Sequence, residues 1–291
     1  MCSTAPRLFA FIAAGASVGG LCGPLLSALL IGTVGESGLM LMAAVLLGAA
    51  MALKRYLMDW REHQGAGRSG AVSNESPRRP VPGNPFSGLT RMLGSRYLLG
   101  IGAFILLLTS VSTFLYFEQA RLVAELFLDR AAQVRVFGVI DFVVQAGALA
   151  TQVFITGRVA QKLGVRVRVR VLLSLVPALV CLGFIGLALA PTFAMLAGLM
   201  IVRRIGEYAF VRPGREMLFA PLDAESKYKV KNFIDTVVYR GGDALSGWAK
   251  AGLDMLGHGA WLVAMVGALC AALWGVLGWY LGGRADRQVE R

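Results

Sequence analysis

The sequence predicts an all-α, polytopic membrane protein with eight transmembrane helices. Three observations lead there. Of the 291 residues, 56% are hydrophobic and 16% charged, whereas a soluble chain of this length is about half apolar and about a quarter charged. The apolar residues gather into runs of about 20, the length that crosses the hydrocarbon core of a bilayer. Lys and Arg concentrate in alternate loops between those runs, as the positive-inside rule requires. Mean hydropathy is +0.65, and helices are the segments that satisfy their own backbone groups in lipid.

The first span covers about 8–33. Arg7 ahead of an apolar stretch also suits a signal peptide, but the run is too long, and Leu21 before Cys22 spoils a lipoprotein cleavage box. Gly19 and Gly23 are spaced to let a neighbouring backbone approach, and Pro24 is expected to bend the helix. A second span covers about 39–57, with no charge before Lys54, so residues 1–54 hold two helices. Residues 55–96 are rich in Ser, Gly and Pro and read as an exposed linker. From Lys54 to Arg96 the basic residues 54, 55, 61, 68, 78, 79, 91 and 96 outnumber Asp59, Glu62 and Glu75, which places this linker in the cytoplasm.

Six further spans make a C-terminal bundle over 97–284, at about 97–117, 134–156, 171–190, 193–218, 232–256 and 260–282, followed by a cytoplasmic tail at 285–291. The 118–133 loop has no basic surplus and belongs outside. The 157–170 loop, with Arg158, Lys162, Arg166, Arg168 and Arg170, belongs inside, as do Lys227, Lys229 and Lys231 and the tail arginines. Eight spans leave both termini in the cytoplasm. In a bacterium the membrane is the inner one.

A net charge of +12 and a pI near 10.1 would raise nucleic-acid binding in a soluble chain. Here the basic residues follow the loops, and none forms a basic face interleaved with stacking aromatics, so no nucleic-acid partner is expected. Cys2, Cys22, Cys181 and Cys270 make no CxxC pair, and His63 and His258 fall in loops on opposite sides. No metal or other cofactor is expected, and no nucleophile–base pair suggests an enzyme.

Charge inside the spans carries the functional reading. Arg203, Arg204 and Glu207 lie in the sixth span; Asp235, Arg240, Asp243 and Lys250 lie in the seventh. An ionisable group at the centre of a membrane helix costs about 2.5–3.5 kcal/mol on insertion scales, so such groups face one another or a wet cavity. Helical spacing sorts them. Asp141, Gln145, Ala148 and Gln152 share one face of the fourth span; Thr236, Arg240, Asp243, Gly247 and Lys250 share one face of the seventh; Thr109, Ser112, Tyr116 and Gln119 share one face of the third. Arg203 and Glu207 stand at i, i+4 and can pair. The second, fifth and eighth spans are almost wholly apolar.

Each group has two readings. Arg203–Glu207 is either a lock on the bundle or part of a pathway, and the same holds for Arg240 and Asp243. Asp141 suits proton carriage or a hydrogen-bonded helix contact. Arg212, Arg215 and Glu216 lie near the inner end of the sixth span, beside the Pro213-Gly214 pair expected to kink it, and read as an inner-gate cluster or as side chains snorkelling to lipid phosphate. The excess of cations on these helices favours an anionic solute, because guanidinium binds phosphate bidentately.

Two spans, a long cytoplasmic linker and six more spans resemble helices five to twelve of the major facilitator superfamily. Gly19, Gly23 and Pro24 match the GxxxGP motif of the fifth helix in many facilitator antiporters. Gly157, Lys162, Gly164 and Arg166 fit the repeat after helix eight, with Gln161 in place of its acid. The stretches Arg212–Glu216 and Lys227–Asp243 further resemble the ATP/ADP translocase branch of nucleotide transporters. The resemblance implies a partial facilitator fold with four helices missing from its front, and secondary active transport by alternating access. It matches no nucleotide-binding residue position by position. The expected central site is Arg203, Glu207, Arg240 and Asp243, with Asp141, Arg212, Arg215, Glu216 and Lys250 in coupling or gating. The partners are a small, anionic solute, the lipid bilayer and a coupling ion. Proton-coupled efflux of drugs or metabolites, and a truncated, non-transporting fragment, are the alternatives.

Overall fold

A computed structural model describes residues 4–66, 87–152, 169–220, 222, 224–255 and 259–289. Among them every regular element is helical. In order these are α1 (Thr4–Ala66), α2 (Ser87–Leu93), α3 (Arg96–Leu126), α4 (Arg130–Thr151), α5 (Val169–Leu189), α6 (Phe193–Gly206), a π-helical segment (Glu207–Val211), α7 (Arg212–Leu218), α8 (Ala224–Phe233), a second π-helical segment (Ile234–Val238), α9 (Tyr239–Met255) and α10 (Gly259–Val289). The stretch at the centre of the expected linker and the motif around Gly157–Arg166 lie outside the described residues.

Five helical stretches are long and apolar enough to cross a membrane by length and composition: Gly15–Trp60, Arg96–Leu126, Arg130–Thr151, Val169–Leu189 and Trp261–Arg287. The first holds both spans expected there. They run together as α1, and only Gly35, at φ 67° and ψ −178°, leaves helical geometry between them. A side chain at positive φ is strained, so glycine is the residue for this break. The sixth and seventh expected spans are helical through their described residues but not uniformly α-helical. Their charge-bearing runs each continue as helix without a gap, over 193–218 and 224–255, with a π-helical segment set inside each. Pro213 sits at the start of α7, so the irregular turn falls ahead of the expected kink.

The core lies between α3, α5 and α10. Ile101, Phe104, Ile105, Leu173, Trp274 and Leu281 are fully buried, and Phe104 packs on Trp274 with ring centroids 5.7 Å apart. Glycines on α10 let α5 come close. A Cβ on Gly282 would lie 2.3 Å from Arg170 Cα, and one on Gly278 would lie 2.6 Å from the Leu173 carbonyl oxygen. At the other side α4 packs on α1, where a Cβ on Gly138 would lie 2.8 Å from the Pro24 carbonyl oxygen. That corrects the expectation for Gly19 and Gly23: nothing stands within 4 Å of a Cβ at either. The close approach to this helix is made at Pro24 by a glycine of its neighbour.

Small and hydroxylic side chains seat α9 on α3. Ser246 Oγ donates to Ser110 Oγ at 2.8 Å, and a Cβ on Gly242 would meet Thr109 Oγ1 at 2.3 Å. This close packing is the kind that joins helices where no hydrophobic drive operates. It sets the polar faces of both helices toward α6.

Candidate functional site

The polar stripes of α3, α6 and α9 come together around two cavities. The first, of about 490 Å3, is bounded by Ser112, Thr113, Tyr116 and Gln119 of α3, by Arg203 and Arg204 of α6, and by Asp141 of α4 and Asp243 of α9. The second, of about 380 Å3, is bounded by Leu108 of α3, Glu207 and Val211 of the first π-helical segment, Arg212 and Arg215 of α7, Asp235 of the second segment, and Tyr239 and Arg240 of α9.

The same boundary divides all three helices of this wall. On α3, Ser112 faces the first cavity and Leu108 the second. Arg203 faces the first and Glu207, one turn on, the second. On α9, Asp243 faces the first and Arg240 the second. At that level Arg203 Nη1 donates to Glu207 Oε2 at 3.0 Å and to Ser112 Oγ at 2.7 Å. Both partners of this ion pair are largely out of solvent, with 8% and 12% of their side-chain surface exposed. Arg203 Nε is buried with no hydrogen-bond partner. The pair therefore forms the partition between two polar chambers.

The remaining charges are mostly committed. Arg204 pairs with Asp141 across α6 and α4. Arg215 Nη1 lies 3.2 Å from Asp235 Oδ1, and Arg212 Nε lies 3.7 Å from Glu207 Oε1 while its guanidinium stacks 4.2 Å over the Tyr208 ring. Glu216 binds Lys231 at 2.7 Å, away from both cavities. Lys250 is buried and binds Asp254 at 2.6 Å. It lines a third cavity of about 370 Å3, together with Phe117 and Arg121. Two groups stand apart. Arg240 has no ionic or hydrogen-bonding partner among the described residues, and Asp243 accepts only from the Thr113 hydroxyl, at 3.2 Å.

The expected central quartet is thus brought to one place but split, Arg203 and Asp243 in one cavity, Glu207 and Arg240 in the other. Asp141, Arg212 and Arg215 join these walls; Glu216 and Lys250 do not. Thr113 and Tyr239, one position off the expected stripes, are additions. So are the two π-helical segments, which supply or adjoin most of the second cavity, a placement common for such segments at functional sites. No family model, curated protein or solved structure matches the chain. Among the described residues the site comprises a cavity with one uncommitted guanidinium, a cavity with one uncommitted carboxylate, and an ion pair between them. Among the described residues no three His, Cys, Asp or Glu side chains gather to hold a metal ion.

Proposed function

We propose that this chain is a secondary transporter of the cytoplasmic membrane that passes a small anionic solute through the two cavities by alternating access, with both termini in the cytoplasm. The observation that carries the reading is the placement of Arg240. It lines a cavity with Arg212 and Arg215 yet meets no carboxylate among the described residues, whereas Arg204, Arg212 and Arg215 are each paired. Arg240 is exposed at the cavity rather than sealed in the bundle, so its guanidinium is open to an arriving carboxylate or phosphate, which it suits. The Arg203–Glu207 pair supplies the barrier that must part and re-form as access changes sides. Nucleotide exchange on a partial facilitator fold is the specific form the sequence resemblance suggests.

The test is counterflow. The full chain is reconstituted in liposomes loaded with an unlabelled anion and screened with labelled organic and phosphorylated anions, adenine nucleotides among them. One or more should exchange, and Arg240→Ala should abolish exchange while its insertion and folding remain intact. Unchanged exchange in Arg240→Ala rejects the assignment.

A further inference from the structure

We propose that Asp243 and Gln119 form, in the first cavity, a binding site for a positively charged group that travels with the anionic solute; this rests on the reading of the cavities as a solute path. The expected coupling acid was Asp141, but Asp141 is held by Arg204. Among the carboxylates of the bundle, Glu118 is held by Arg121, Glu207 by Arg203, Asp235 by Arg215, Asp254 by Lys250 and Asp286 by Arg170. Among the described residues Asp243 has only the Thr113 hydroxyl.

A second feature points the same way. Gln119 is 3% exposed and lines the same cavity, and among the described residues its amide makes no hydrogen bond. The residue as a whole is buried but its amide opens on the cavity, where it is free to bond to a bound group. With the carboxylate of Asp243, the hydroxyls of Thr113 and Tyr116 and the amide oxygen of Gln119, the wall offers acceptor oxygens. The Tyr116 and Phe117 rings, set edge-to-face with centroids 6.0 Å apart, line it too, and aromatic rings attract ammonium groups.

Charge accounting across the partition gives the pairing its sense. In the first cavity Arg203 and Arg204 are each taken by a carboxylate, so Asp243 leaves one negative charge. In the second, Asp235 meets Arg215 and Glu207 is shared by Arg203 and Arg212, so the balance is positive, and among the described residues Arg240 is the cation with no carboxylate. Arg240 and Asp243 lie three residues apart on α9, about 4.5 Å along the axis. An anion at Arg240 together with a cation at Asp243 would cross as a neutral unit, which avoids the cost of carrying a bare charge through hydrocarbon. The cation is either an ammonium group on the solute itself or a co-bound inorganic ion.

Carbodiimide labelling tests this without transport. The full-length protein in detergent is treated with dicyclohexylcarbodiimide, and modification of Asp243 is followed by peptide mass in sodium, potassium or methylammonium chloride, with sucrose as osmotic control. At least one cation should slow the modification of Asp243 by about threefold or more, as expected for occupancy well above half, and leave Asp254 unchanged. Thr113→Val and Gln119→Leu should lose that protection. Protection by methylammonium alone assigns the charge to the solute; protection by sodium or potassium assigns it to a co-bound ion. Equal rates in all four solutions, no labelling of Asp243 in sucrose, or full protection surviving in both variants would overturn the site. Lost counterflow with retained protection would remove the transport reading and leave the cation site standing.

Discussion

Arg203 and Glu207 show what a single pair of residues contributes. Their i, i+4 spacing made the contact legible in sequence, because such residues meet on one helix face. Its position as a partition was not legible, since that depends on Ser112, 91 positions away. The pairing of Arg204 with Asp141 spans 63 positions and was hidden for the same reason. Removing one member of a buried pair strands the other, at a cost of about 3–5 kcal/mol, whereas replacing both by apolar groups is often neutral. Glu207→Gln is therefore expected to lower stability by about that much, and Arg203→Met/Glu207→Leu to recover most of it. Chemical denaturation in detergent reads the stability and counterflow the function. If the pair is the moving barrier, exchange is lost in both variants; a double variant that exchanges as wild type would reduce the pair to a lock.

At the scale of elements, apolar runs announced α3, α4, α5 and α10, and the break in α1 falls between its two expected spans. The charged runs were harder. Hydropathy and spacing suggested two continuous spans, and the helix is continuous over both, but a π-helical turn has no composition signal, and the segments at Glu207–Val211 and Ile234–Val238 shift the helical phase. Tyr239 follows directly on the second segment and reaches its cavity from off the expected stripe, whereas Thr113 stands beside Ser112 on the uninterrupted α3. Glycine spacing misled in α1 and was informative in α10, because a small-residue motif says that a backbone can approach, not that one does. Two substitutions separate these cases. Gly282→Ala pushes a methyl into the backbone of Arg170, which cannot move without α5, and should cost about 1–3 kcal/mol. Gly19→Ala meets nothing within 4 Å and should leave stability unchanged or raise it by up to about 1 kcal/mol through helix propensity. Thermal unfolding of both variants in one detergent checks the contrast.

At the scale of the whole molecule, the question is whether the two cavities open to different sides. In the topology read from the loops, residues 219–231 are cytoplasmic, so the second cavity, next to α7 and α8, belongs to the inner half and the first to the outer half. The partition is one ion pair thick, with Ser112 as its third member. Two packed helix groups can rock about such a barrier because packed interfaces shift between discrete arrangements rather than deform smoothly. Cysteine accessibility decides it. In a background with Cys2, Cys22, Cys181 and Cys270 replaced, Thr113→Cys should react with a membrane-impermeant thiol reagent from the outside, and Tyr239→Cys, half-buried in the second cavity, from the inside only. Adding an exchangeable anion should change the two rates in opposite directions, since a solute can move the equilibrium only by binding one arrangement better than the other. Labelling of both positions from one side would mean that Arg203 and Glu207 divide a single chamber rather than two, and alternating access across that pair would fall.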